Sequence, residues 1–501
     1  MFTDGHKANV WDTLRQKDMQ PLSRLMPAEA IEEAAVTSGL SLTARALTPM
    51  VLVWLAITSA FHRTKNFTNV LQMVLKLLQD ADQWHGKPST SLTPGKKGGR
   101  RGGSNRAKGN RGKGKRAKSA RSKHDPRGGD ENLVTEEAFA QARKLLPPAF
   151  WVSLIMLLNQ AFAKQHVQLQ RRGKYRLLAL DGTTIDLPGW KGLKDHYGTA
   201  KNQSKSRTAQ ARMLMLQFPQ VRIPFRYELG PLAVGERTMA GRLLANLEAD
   251  DLVLMDRGFF GYGLFQQIHR QKAFFAVRLM AGVNLTTLRR LDRQDRLVRW
   301  TPSDRHKWKD LPESMELRVI DYKIKGFRPS AIVTNVLDPK AISRDDWARL
   351  STSEAGRHLG PGLYHRRWEI ETTFLELKVT QGMEGGLRGR TPGTIEYEVA
   401  GHVVLYLMMR WLMVESALAA GADPLRLSFV EATREMASMR ETLIRADAKD
   451  VEQRLLPLLL ARIAQHRVPW RPGRHDPRPG DGKIKNKGKG KHQLPSKLMT
   501  T

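Results

Sequence analysis

Between residues 96 and 127 the sequence has fourteen Lys or Arg, one acid (Asp125) and no Phe, Tyr or Trp, set among Gly, Ser, Ala and Asn. Such a segment cannot bury enough apolar surface to offset its ordering entropy, so it reads as a linker outside any folded core. It splits a chain of 501 residues whose 41% hydrophobic content is ample for a core elsewhere. That length allows about three domains. Residues 471–501 carry nine basic residues against Asp476 and Asp481 and read as a second flexible basic arm.

The two arms hold more than half of a net charge of +34, and the rest of the chain is basic as well. A polycation of this kind attracts a polyanion, since each phosphate neutralised releases condensed counterions. Nucleic acid is the expected partner. An anionic membrane is not, because neither run interleaves the Trp, Phe or Leu that lipid insertion needs. The longest apolar runs, at 49–61, 150–158 and 403–414, fall short of the roughly 20 residues that span a bilayer. Residues 1–20 mix Asp4, Asp12, Arg15, Lys17 and Asp18 and do not resemble an export signal, so a cytosolic location is expected. With no cysteine, any metal must sit on oxygen or imidazole ligands.

Along the chain, apolar residues recur at helical spacing over 21–85 and again over about 136–169. The pattern then changes to a short strand at 175–180 ending in Asp181, with Gly182 and Pro188 closing a turn, and strands at 211–217 and 220–227. A helix at 236–247 and a strand at 252–255 ending in Asp256 follow, then a helix at 262–271 and a strand at 273–279. Period-two alternation over about 283–337 predicts an inserted β subdomain. Helices are expected at 362–381, 395–416 and 451–466.

Asp181 and Asp256 each follow a short apolar strand. At the carboxyl edge of a mostly parallel sheet they would converge, although either alone reads more readily as a turn-forming Asp. On the helix at 362–381, Tyr364, Arg367, Glu371 and Lys378 fall within about 60° of one another at 100° per residue. That face offers an acid flanked by two cations and a phenol, and it also suits a plain salt-bridge ladder. Glu369 and Glu376 point elsewhere and read as solvated or ion-paired surface residues. Three gathered carboxylates repel one another and call for a cation; Mg²⁺ takes oxygen ligands, and a pair of such ions serves in-line phosphoryl displacement.

The spacing of Tyr364, Arg367, Glu371 and Lys378, with Asp181-Gly182-Thr183 and Asp256-Arg257-Gly258-Phe259, resembles the bacterial insertion-sequence DDE transposases, in the cut-and-paste subgroup marked by a Tyr-Arg-Glu-Lys signature. The likeness runs from the helical N-terminal region to the Arg471–Arg478 stretch. It implies an α/β fold with an RNase H-like catalytic core interrupted by a β-strand insertion subdomain, between helical N- and C-terminal regions. It implies that Asp181, Asp256 and Glu371 are catalytic and bind two Mg²⁺ ions, for which Mn²⁺ can substitute, and that Tyr364, Arg367 and Lys378 bind DNA. The partners it implies are double-stranded DNA, as terminal inverted repeats and target, and a second copy in a homodimeric synaptic complex, acting in the bacterial cytoplasm at the nucleoid. The family's insertion can supply an aromatic side chain that stacks on a flipped base; Trp300 and Trp308 are the candidates.

The expected organisation is a helical N-terminal domain at 1–90, a candidate for DNA-end recognition, then a basic linker at 91–131. A helical lead-in with the first part of the core occupies 132–282, the β insertion 283–345 and the second part of the core 346–420. A C-terminal helical region at 421–467 and a basic tail at 468–501 complete it. Two rivals stay open: an RNase H-like nuclease or resolvase without strand transfer, and a catalytically inactive DNA-binding derivative.

Overall fold

The computed structural model describes residues 22, 24–40, 48–62, 141–200, 208–303, 309–323, 329–348, 362–439, 442–443, 446 and 448–469. The basic linker, nearly all of the tail, Trp308 and the expected helical positions over 63–85 lie outside them. The contacts divide the chain into two units, Met1–Leu158 with Gln381–Met409 and Met436–Leu459, and Asn159–Thr380 with Arg410–Glu435 and Leu460–Thr501.

The first unit is helical. Thr48 caps the helix Pro49–Phe61 by accepting from the Val51 N–H, and Pro49 suits the first turn, where an N–H would find no acceptor within the helix. This helix is apolar all round and almost wholly buried. It lies close to the helix Pro392–Ala419, where Tyr397 Oη donates to the Leu52 carbonyl at 2.5 Å. Any Cβ at Gly401 would come 2.8 Å from Ala56, so the approach depends on glycine. At 28 residues, Pro392–Ala419 is longer than the apolar run at its centre suggested. By length and composition it could cross a membrane, but 83% of its most apolar window is buried within the protein, as befits a core helix.

The second unit is built on a ten-stranded sheet. Its strands are β1 (Arg171–Arg172), β2 (Tyr175–Leu187), β3 (Ala209–Phe218), β4 (Ile223–Pro231), β5 (Asp251–Met255), β6 (Phe274–Arg278), β7 (Leu285–Asp292), β8 (Asp295–Trp300), β9 (Met315–Tyr322) and β10 (Ser330–Thr334). The order across the sheet is β4-β3-β2-β5-β6-β10-β9-β8-β7, with β1 paired to β2. Only β2–β5 and β5–β6 are parallel; the other pairs are antiparallel. Three antiparallel strands, a helix (Glu236–Leu244), a parallel strand, a second helix (Tyr262–Arg270) and another parallel strand make the RNase H-like core within an α/β fold.

Two features depart from the sequence reading. β2 does not stop at a turn after Leu180, because β3 pairs with it from Ala179↔Gln217 to Leu187↔Ala209 and carries it on through Asp181. A helix, Lys191–Tyr197, follows it. The expected β insertion is present as β7–β10, and because β10 pairs antiparallel with β6 it extends the central sheet at that edge.

One face of this sheet is packed by Tyr175, Leu177, Leu252, Leu254, Ala276, Ile320 and Ile332 with Trp347, Leu363 and Tyr364. Burying side chains of this size contributes roughly 1.5 to 3 kcal/mol each. The same packing seats the helical segment 363–380 across the sheet. Trp300, a base-stacking candidate, is buried instead against Phe260, Tyr262 and Phe265 at centroid distances of 5.0, 5.3 and 5.6 Å. It is a core residue with no free ring face to offer a base.

Candidate active site

β2 and β5 run side by side through Leu180↔Met255, and β5 and β6 through Met255↔Val277. One residue further, Asp181, Asp256 and Arg278 stand level on three neighbouring strands. Side chains at one level share a face, and alternation puts these three on the face that packs Leu177, Leu252, Leu254 and Ala276. Asp181 therefore owes its place not to a turn but to the point where its parallel partner ends. Asp256 does begin a turn: its side chain accepts from the Gly258 N–H at 2.7 Å, and a Cβ at Gly258 would come 2.9 Å from Asp256 Oδ1.

The third acid arrives on 363–380, which changes pitch twice: a 3₁₀ segment Leu363–Trp368, an α-helix Glu369–Leu375 and a π-helical turn Glu376–Thr380. Three of the four signature residues reach the strands beneath, and the fourth, Glu371, is held by Arg367. Tyr364 Oη donates to the Met255 carbonyl at 2.9 Å. Arg367 donates to Asp181 Oδ2 at 2.9 Å and to Glu371 Oε1 at 3.3 Å. Lys378 Nζ donates to the Thr184 carbonyl at 2.7 Å. Uniform 3.6-residue spacing does not hold to the end, because the wider π turn is what carries Lys378.

Electrostatics tie the acids together. Burial pushes the Asp181 carboxyl up to about 6; Arg367 and the Gly182 N–H draw it down, while the negative charges of Asp256 and Glu371 push it up again. Glu371 is 56% exposed and Asp181 20% exposed, so the pair opens to solvent on the Glu371 side. Tyr364, 6% exposed, differs from the expectation that it reaches DNA: its hydroxyl is committed to the backbone just before Asp256, and burial raises its pKa.

Glu369 and Glu376 are ion-paired, but Glu376 is not at the surface. Arg222 holds Glu369 Oε2 at 2.7 Å and Glu376 Oε1 at 2.8 Å, with the fully buried Arg410 3.9 Å from Glu376 Oε2. Sequence reasoning missed Arg222 and Arg278. Arg278 donates to Ser330 Oγ at 2.5 Å and leaves its buried Nε without a hydrogen-bond partner. The register of parallel strands, which no single sequence displays, would have found it.

The donors available to a metal are oxygens, and the acids repel one another, which suits a hard divalent cation. Among the described residues no three His, Cys, Asp or Glu are already gathered round one ion position. Arg367 is the cation between Asp181 and Glu371.

Two aspartates at the ends of adjacent parallel strands and a glutamate on a later helix, in an RNase H-like core, define the DDE class. Residues 172–408 match the transposase DDE domain family. Transposase InsG for insertion sequence element IS4, from Escherichia coli (strain K12), is 27% identical over 242 residues, 45% of this chain and 52% of that protein. The chain thus spans about half the length of this curated relative. Over residues 172–408 the chain is thus similar to the transposase DDE domain, and over part of its length to a bacterial insertion-sequence transposase. The piggyBac transposase synaptic complex with hairpin DNA aligns over 91% of this chain and 87% of that one at 10% identity, with a TM-score of 0.34, too low to bear on the argument.

Proposed function

We propose that the protein is a cut-and-paste transposase of the Tyr-Arg-Glu-Lys subgroup, cleaving DNA at the terminal inverted repeats of its own element and joining the freed ends to target DNA. The observation that carries this reading is the level placement of Asp181 and Asp256 at the ends of adjacent parallel strands, with Glu371 linked to Asp181 through Arg367. Asp181, Asp256 and Glu371 would hold two Mg²⁺ ions, or Mn²⁺ in their place, whose chemistry is to activate the attacking oxygen and stabilise the leaving one.

The chain's own residues do the rest. Arg367 exchanges its carboxylate partners for a phosphate oxygen beside the scissile bond, where its planar fork suits two oxygens at once. Lys378 leaves the Thr184 carbonyl for a neighbouring phosphate. Tyr364, by holding the Met255 carbonyl, fixes the strand end from which Asp256 projects. Water attacks first, breaking the P–O3′ bond and freeing a 3′-hydroxyl; that hydroxyl then attacks a second phosphodiester, so one P–O bond forms as another breaks. A homodimeric synaptic complex brings the two ends together at the nucleoid.

Replacing Glu371 with Gln tests the assignment, with cleavage expected to vanish and DNA binding to persist. Supplying pre-cut ends with target plasmid separates the reading from a nuclease on the same fold: robust hydrolysis without joining would favour the nuclease.

A further inference from the structure

The level that carries Asp181, Asp256 and Arg278 continues across the sheet. Arg278 pairs with Ile332, Ile332 with Ile320, Ile320 with Asp295, and Asp295 with Asp292. The β7–β8 turn therefore stands at the same edge of the sheet as the catalytic aspartates, five strand spacings from Asp256. At about 4.8 Å per strand that is about 24 Å along the sheet.

This hairpin carries an uneven set of charges. Its acids are all answered: Asp292 by Arg344 at 3.1 Å, Asp295 by Arg318 at 2.6 Å, and across the strands Asp321 by Arg296 and Glu316 by Arg299 at 3.2 Å. Arg289, Arg290 and Arg293 are exposed and have no carboxylate partner among the described residues. β7 is the outermost strand of the sheet, and its residues are exposed on both faces. An edge strand lined with arginine resists pairing with another strand. A two-stranded ribbon also has the width to enter or straddle a duplex groove.

We infer that the β7–β8 hairpin is a second contact for duplex DNA, gripping phosphates through Arg289, Arg290 and Arg293 about seven base pairs from the scissile bond, at 3.4 Å per base pair. The inference rests on the DNA-cleaving reading above and adds to it a defined, sequence-independent anchor. Phosphate contacts of this kind fix register on the duplex without reading its bases.

The test uses the full chain and a random duplex of about 30 base pairs, with affinity measured across salt from about 50 to 200 mM. Three phosphate contacts contribute about 0.9 each to the slope of log affinity against log salt, so R289Q/R290Q/R293Q should lose about 2.7. R289K/R290K/R293K, which keeps the charge, should keep the slope. Should the triple Gln variant melt early, R293E alone, at the exposed turn, is expected to lower the slope by at least about 0.9. An unchanged slope in folded Gln or Glu variants, with normal binding by the parent, overturns the inference and leaves the reading of the catalytic acids intact. A parent chain that binds no duplex overturns both.

Discussion

Arg367 bridges Asp181 and Glu371, residues 190 positions apart in the chain, with one guanidinium nitrogen on each carboxylate. That bridge joins the sheet to the segment 363–380 at its two acids, beside the Tyr364 and Lys378 contacts to strand carbonyls. With it in place two acids share one cation; without it they face each other bare. Arg367→Ala is expected to lower cleavage by about 100-fold or more, the scale of losing one preorganised charge contact, while duplex binding changes only a few-fold. Arg367→Lys should recover little, since an ammonium cannot span both carboxylates. Single-turnover cleavage beside a binding titration checks both.

Arg222 grips Glu369 and Glu376 from behind the same helix. Its removal takes from the buried Glu376 its 2.8 Å ion pair and leaves Arg410 at 3.9 Å. Breaking a buried pair at one partner costs about 3 to 5 kcal/mol, so Arg222→Ala should lower the melting temperature by several degrees. Calorimetry of the two proteins measures it; an unchanged melting temperature would show that the network contributes nothing.

Tyr364→Phe keeps the ring in its apolar cluster and removes only the bond to the Met255 carbonyl. A buried carbonyl left without its donor costs about 1 to 3 kcal/mol. We expect a modest loss of stability, a larger loss of cleavage rate than of DNA affinity, and no change in cleavage position on sequencing gels.

Trp300→Ala removes a core ring packed among three aromatics and should cost about 3 to 5 kcal/mol. A base-stacking role predicts the opposite pattern, with stability intact and end cleavage impaired. Thermal melts alone distinguish them.

Glu398 is buried, which raises its carboxyl to about 7 despite the Arg388 and Gly389 N–H groups at 2.7 and 3.1 Å and Arg143 at 3.9 Å. The folded state holds this proton after the unfolded chain has released it near the ordinary 4.5. The stability from this group is thus fully present below about pH 4.5 and is lost as pH rises towards 7, by on the order of 3 kcal/mol. Glu398→Gln cannot ionise, so its melting temperature relative to the parent should climb between about pH 5 and 8. A difference that stays flat with pH contradicts the assignment.

Much of the core was legible because its strands and helices are strongly patterned. Leu252–Leu254 and the helical spacing of Tyr364, Arg367 and Glu371 announce themselves locally. What escaped depends on pairing at a distance. The run Asp181–Asp186 is too polar to read as a strand, and only β3 holds it extended. Glu376 looks like any helix-surface acid until Arg222, 154 residues earlier, is brought to it. Arg278 acquires meaning only through the register of β6 on β5. Trp300 sits on an alternating strand, and alternation says which residues share a face but not which face is covered.

The central claim is that Asp181, Asp256 and Glu371 share divalent ions. A crystal of the chain with an end duplex and Mn²⁺, examined at the manganese edge, tests it directly. The account predicts anomalous density bonded to oxygens of all three carboxylates, with Arg367 turned away from Asp181 towards a phosphate. Manganese bound elsewhere, or absent while Arg367 still bridges Asp181 and Glu371 beside bound DNA, would contradict it.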